Sequence, residues 1–118
     1  MKDAALIIAV LFLSREQAHR EHLRTTSFSK HSALDGFYKD VVDLADKFAE
    51  VYQGFYGVID DIPYETPAKG EIADVLEHQA ATIESMRGKF SKAPALQNII
   101  DEISAMYSQT LYKLRVLK

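Results

Sequence analysis

The chain has 118 residues, of which 47% are hydrophobic and 26% charged, and its net charge is −3. This composition predicts one globular domain over residues 1–118 and excludes a largely disordered chain. The acidic balance gives no electrostatic support for nucleic-acid binding, and the absence of cysteine excludes disulfides and thiolate metal sites. A metal site must therefore use nitrogen and oxygen ligands, and we expect a cytoplasmic location, which the lack of cysteine permits.

The first predicted helix opens with an apolar run from Ala4 to Leu13. The run is too short to span a bilayer, and Lys2 is offset by Asp3 with no cleavage site after the run, which disfavours a signal peptide. We expect a helix that is N-capped by Asp3 and continues to about Arg24. Because the run is apolar on every side, the helix should contact more than its own bundle, which favours an oligomer.

The second predicted helix runs from about Phe28 to Tyr56, with cap oxygens in residues 25–27 and Gly57 as its stop. The connection between the first two helices is short, so they should be antiparallel neighbours. That arrangement brings His19 and His22, near the end of helix one, close to the start of helix two.

The second half of the chain contains two more predicted helices. Thr66-Pro67 predicts the start of helix three, which runs to about Lys89, and Pro94 opens helix four. Apolar positions recur every three or four residues in both helices, so the pattern predicts an all-α four-helix bundle. The linker before helix three is longer than the usual bundle connection and could return along helix two.

Helix two carries a stripe of potential metal ligands, His31, Asp35, Asp46 and Glu50, which lie within about 100° on the helical wheel. The apolar positions lie on the other side, so the stripe should face solvent or a partner. Imidazole and carboxylate ligands suit iron, manganese or zinc, and the alternative is that these acids are simply solvated. Lys39 lies inside the stripe, where its cation would compete with a metal.

The separations from His19 to the four residues of the stripe are 12, then 4, 11 and 4 residues. In residue types and spacing this set resembles the ferroxidase signature of the Dps family, the mini-ferritins of the ferritin-like superfamily. The segments Ala18-His19 and 31–37 are also similar to the family's segments at those places.

The first histidine of the set remains open between His19 and His22. Arg20 follows His19 where the Dps family usually has Trp. A shorter Dps-like group from phages and bacteria resembles this chain in having a histidine nine residues before the second one, as His22 precedes His31. The run at residues 96–103 is also similar to the C-terminal pattern of that group.

The resemblance implies a ferritin-like bundle with a crossover between helices two and three, assembled as two-fold dimers and a dodecameric shell. In that family the metal site is shared across the two-fold interface, with the histidine side from one chain and the acids from its neighbour. The implied activity is oxidation of Fe(II) by peroxide or dioxygen, followed by storage of non-haem iron, a role in oxidative stress. Many Dps proteins bind DNA through a Lys-rich N-terminal tail, which is lacking here, so neither direct DNA binding nor a membrane partner is expected.

The alternative function is that of a non-enzymatic helical bundle acting as an oligomeric interaction protein, which Lys39 and the missing Trp favour. Glu16-x-x-His19 is half of the motif for a di-iron site inside a bundle. No second copy exists, because Glu84 is followed three residues later by Arg87. We therefore expect no site inside the bundle and no catalytic residue beyond the metal ligands.

Overall fold

The computed structural model describes residues 2–118, and this part of the chain forms four α-helices and no strand. The elements are α1 at Lys2–Arg24, α2 at Phe28–Tyr56, α3 at Ile72–Ser85, a 3-10 turn at Arg87–Phe90 and α4 at Pro94–Arg115. The prediction of an all-α four-helix bundle is confirmed. None of the described helices is long and apolar enough to cross a membrane.

Local signals set both ends of α2 where the sequence places them. The Ser27 hydroxyl accepts a hydrogen bond from the backbone N–H of Lys30 at 3.3 Å, which satisfies one free donor of the first turn. The helix stops at Gly57, whose φ of +98° is a backbone conformation that favours glycine.

Two expected helix starts are wrong. Asp3 lies inside the first turn of α1 and is not its N-cap. Helix α3 begins at Ile72 and not at Pro67, and it ends at Ser85, before the 3-10 turn. Gly70, two residues before α3, has a φ of +124°, which is not a helical conformation, so the helix cannot run from Pro67 through this residue. The Ala68 carbonyl also accepts a hydrogen bond from the side chain of Gln17 on α1 at 2.8 Å.

The core lies between the four helices, and its largest fully buried side chains include Leu34, Phe37, Phe48, Ile100 and Tyr107. The apolar face predicted for α2 is buried as far as Tyr52. The apolar pattern of α2 continues to Phe55 and predicts its burial, but this side chain lies past Tyr52, the last buried residue of the helix, and is 64% exposed.

Most of the apolar run of α1 is buried within a single chain. Ala4, Ala5 and residues 7–11 are all buried, and Ile59 of the linker (residues 57–71) joins the same core. Phe12 is 46% exposed. Burial of the run therefore does not require a second subunit, and the expected oligomer has to be argued from other surfaces.

The linker runs back alongside α1. Ile59 lies in one groove with Ala5 in the first turns of α1, whereas Ala68 is bonded to Gln17 and Glu71 pairs with Lys30 at 3.4 Å. The linker thus passes from the start of α1 to its last third before α3 begins. As a result, α3 runs antiparallel to α1 and in the same direction as α2.

A core hydrogen-bond series connects α4, α1, α3 and the linker. Ser14 Oγ donates to Gln79 Oε1 at 2.6 Å, so the Tyr107 hydroxyl, also at 2.6 Å, must donate to Ser14 Oγ. Gln79 Nε2 donates to Gln17 Oε1 at 2.7 Å, and Gln17 Nε2 donates to the Ala68 carbonyl at 2.8 Å. Every bond in the series therefore has the same direction, which strengthens each of them in a low-dielectric core.

Candidate metal site

A pair of histidines joins the end of α1 to the start of α2. The rings of His22 and His31 stack with centroids 3.8 Å apart and an interplanar angle of 20°. The Nδ1 atom of each ring lies 2.8 Å from the backbone carbonyl oxygen of the other residue. The expected proximity of these two histidines is confirmed, and the three-residue turn between the helices is what places them together.

The reciprocal bonds fix the proton positions on both rings. A carbonyl oxygen can only accept, so each Nδ1 must donate. In the neutral form of each ring the Nε2 atom then carries a free lone pair. Histidines that bind metals are commonly held this way, with one nitrogen on a carbonyl and the other on the metal.

Asp35 lies one turn after His31, beside this pair. Its Oδ1 atom is 3.9 Å from His22 Nε2 and accepts a long hydrogen bond of 3.4 Å from the Tyr38 hydroxyl. Lys39 Nζ is 3.1 Å from both carboxylate oxygens. The hydrogen bond from Lys39 lowers the pKa of Asp35 despite the opposing effect of desolvation, and the same bond raises the pKa of Lys39.

His19 belongs to the same cluster but occupies a different position. Its ring stacks on Tyr38 with centroids 4.1 Å apart and an interplanar angle of 8°, and its centroid is 6.1 Å from that of His22. We call His19, His22, His31 and Tyr38 the histidine cluster. Of the two candidates for the first histidine, His22 is the one that packs against His31.

Asp46 and Glu50, the acid pair, lie elsewhere on α2. Both are exposed, and eleven residues of helix separate Asp35 from Asp46, which corresponds to about 16 Å. Among residues 2–118, no group of three or more His, Asp or Glu side chains is placed to hold a metal ion. The six candidate ligands therefore form two groups within one chain: one contains the three histidines and Asp35, and the other is the acid pair. A single metal ion cannot contact both groups of the same chain.

The stripe between these two groups faces outward, as the sequence predicts. Val42 is 39% exposed, whereas Ala49, between the two residues of the acid pair, is partly buried against the core of its own chain. Glu16 is bonded to Arg20 at 2.6 Å on the surface of α1, so the Glu16-x-x-His19 motif does not point a carboxylate into the bundle core.

Sequence reasoning missed the role of Tyr38. Tyr38 occupies an apolar position of the α2 pattern and packs partly against the core, but its ring also stacks on His19 and its hydroxyl donates a hydrogen bond to Asp35. Its position three residues after Asp35 is a signal that could have indicated this contact, because side chains at this spacing are neighbours on a helix.

The fold and the site together define an all-α helical-bundle protein with a histidine cluster at one end of its α1–α2 hairpin. The chain belongs to a family of unknown function (DUF5856), whose model matches residues 22–114. The matched region starts at His22 and leaves His19 outside.

One curated relative is an uncharacterized 14.6 kDa protein in the mobD-ri intergenic region of Enterobacteria phage T4. It is 28% identical to this chain over 113 residues, covering 91% of this chain and 84% of the phage protein. No solved structure matches the chain.

Proposed function

We propose that the protein is a Dps-like member of the ferritin-like superfamily that binds Fe(II), oxidises it with peroxide or dioxygen and stores the ferric product. The observation that carries this proposal is the His22–His31 pair. Its two Nδ1 atoms are bound to backbone carbonyls, which leaves the Nε2 atoms available as ligands, and the Nε2 atom of His22 lies 3.9 Å from Oδ1 of Asp35.

The course of the linker supports a ferritin-like crossover. In such bundles a long connection lies between two helices that run in the same direction, and α2 and α3 have this relation here. The contact of Ala68 with Gln17 holds the returning segment against α1.

A second subunit is part of the proposal, because the acid pair is too far from the histidine cluster to share a metal ion with it in one chain. An antiparallel neighbour packed on the outward stripe of α2 would bring its acid pair toward the histidine cluster of the first chain. The small apolar residue Val42 lies between the two groups and is 39% exposed, as expected for a face that is covered in a dimer. The same proposal includes the assembly of these dimers into a dodecameric shell in the cytoplasm.

The chemistry follows from the ligand types. Asp46 and Glu50 supply hard anionic oxygens, which bind Fe(III) more strongly than Fe(II) and so favour loss of an electron from the bound ion. Asp35 and the two imidazoles provide the remaining ligands. Two Fe(II) ions would each give one electron, and one peroxide molecule would take these two electrons and two protons to become two water molecules, while the ferric ions remain as cargo. With dioxygen as the acceptor, the same two electrons and two protons would give hydrogen peroxide.

A second candidate function is favoured by one specific observation, the ion pair of Lys39 with Asp35. A cation already holds the carboxylate that a metal would need. A helical bundle that assembles with itself or with another protein, without redox chemistry, accommodates this pair as an ordinary surface interaction.

The test is anaerobic loading of the purified protein with Fe(II), followed by peroxide, with ferric absorbance as the readout. We expect rapid oxidation in the wild type and its loss in Asp46→Asn/Glu50→Gln. The control variant Asp40→Asn/Asp61→Asn removes the same number of carboxylates from exposed positions outside the stripe and should oxidise iron like the wild type. Equal rates of ferric absorbance increase in all three proteins would contradict the ferroxidase proposal and favour the second candidate function, a non-enzymatic interaction protein.

A further inference from the structure

We propose that Lys39 is a built-in competitor for metal at Asp35: its ammonium holds the carboxylate in the metal-free chain and is displaced when a divalent cation binds between Asp35 and His22. This inference rests on the proposed function, because it concerns how the same site is regulated.

The geometry of the ion pair carries the inference. Lys39 Nζ is 3.1 Å from Oδ1 and 3.1 Å from Oδ2 of Asp35, so the ammonium contacts both oxygens that a metal could use. The same Oδ1 faces His22 Nε2 at 3.9 Å. The ammonium and the imidazole nitrogen therefore share Oδ1 of one carboxylate, and a metal bridging imidazole and carboxylate would come close to the ammonium.

The Lys39 ammonium can move away from the Asp35 carboxylate. The Lys39 side chain is 63% exposed, and exposed ion pairs are weak because solvent screens them. Its Nζ atom is 6.0 Å from the centroid of the Tyr38 ring, at the outer limit of a cation–π contact, which offers the displaced ammonium a second position. The long aliphatic stem allows this movement without a change in the helix.

The size of the effect follows from Coulomb's law. A divalent cation about 6 Å from an ammonium is repelled enough, even at the dielectric constant of water, to weaken binding about tenfold. Lys39 therefore does not block the site. It raises the free metal concentration at which the site fills.

The experiment is a titration of the purified full chain with Co(II), followed by visible absorption, which requires no turnover. Lys39→Met removes the charge while keeping the length of the side chain, and it should tighten Co(II) binding about tenfold. Lys47→Met is the matched control: it removes one positive charge from the same helix, at a lysine paired with Glu102 on α4. The control should change affinity less than twofold.

Two further measurements separate competition from a structural effect. The ratio of affinities between Lys39→Met and the wild type should fall as NaCl rises to about 1 M, where the Debye length is about 3 Å. Lys39→Arg, which keeps the charge, should bind Co(II) no more tightly than the wild type.

The outcomes distinguish this inference from the proposed function. If the wild type and Lys39→Met bind Co(II) equally well and Asp35→Asn abolishes binding, the competitor role is overturned and metal binding stands. If neither protein binds Co(II), both proposals are overturned. If Lys39→Met is tighter but keeps that affinity after His22→Ala is added, the metal lies elsewhere and the inference is again overturned.

Discussion

Replacing Ser14 by alanine removes the hydroxyl in the middle of the core hydrogen-bond series. The change leaves the Tyr107 hydroxyl without its acceptor and Gln79 Oε1 without its donor, both in fully or nearly fully buried side chains. Each buried group that loses its partner costs about 1–3 kcal/mol. We therefore expect Ser14→Ala to lower the free energy of unfolding by about 2–5 kcal/mol.

Urea denaturation followed by circular dichroism measures this loss. Ser108→Ala, at an exposed position of α4, is the control and should change stability by less than about 0.5 kcal/mol. Tyr107→Phe provides the sharper comparison, because Ser14 keeps its bond to Gln79 in that variant, and the expected loss is only about 1 kcal/mol. If Tyr107→Phe costs as much as Ser14→Ala, the assigned direction of the series is wrong.

Two other predictions concern the ends of helices and can be checked by thermal melts. Gly54 lies inside α2 with open space around it, so Gly54→Ala should stabilise the fold by about 0.5–1 kcal/mol. Gly57→Ala, at a φ of +98°, should instead destabilise it. Stabilisation by both substitutions would refute the assignment of Gly57 as the residue that ends α2. Arg115 bonds to Asp74 and Glu77 at 2.9 and 3.1 Å, and its hydrogen bond lowers the pKa of Glu77. A lowered carboxyl pKa contributes stability above the unfolded pKa that is lost as the pH falls through the folded pKa, so the Tm difference between wild type and Arg115→Gln should shrink from pH 7 to about pH 3. A difference that grows on acidification would contradict this sign.

The parts of the fold that local chemistry determines were predictable from the sequence. Ser27 and Gly57 delimit α2 because a cap oxygen and a glycine with positive φ act within one turn of the helix. The start of α3 was not predictable in this way. Pro67 has the local features of a first helical residue, but Gly70 adopts a φ of +124° and so excludes a helix that runs through it. A glycine can also lie inside a helix, as Gly54 does in α2, so the residue type alone does not predict this break.

In the candidate site, too, the sequence predicted the positions of residues but not the contacts of their side chains. The short turn after α1 predicted that His19 and His22 would lie near the start of α2, because a three-residue connection keeps the adjacent helix ends together, and it left open which of the two meets His31. The reciprocal Nδ1 bonds that orient the rings depend on side-chain rotation, which no spacing encodes. The core hydrogen-bond series was missed for a related reason, since Ser14, Gln79 and Tyr107 are far apart in sequence and each is common in helices.

The directions of the helices determine how two copies can be joined in one polypeptide. Lys2 lies at the end of the molecule where α2 finishes, whereas Lys118 lies beside Phe28, where α2 starts. The two positions are therefore separated by most of the 44 Å length of the molecule. In a tandem fusion, copies lying parallel need a connecting peptide of roughly 13 extended residues, but antiparallel copies need only a few. The shortest peptide that still allows a fused pair to form thus reports whether the two copies lie antiparallel.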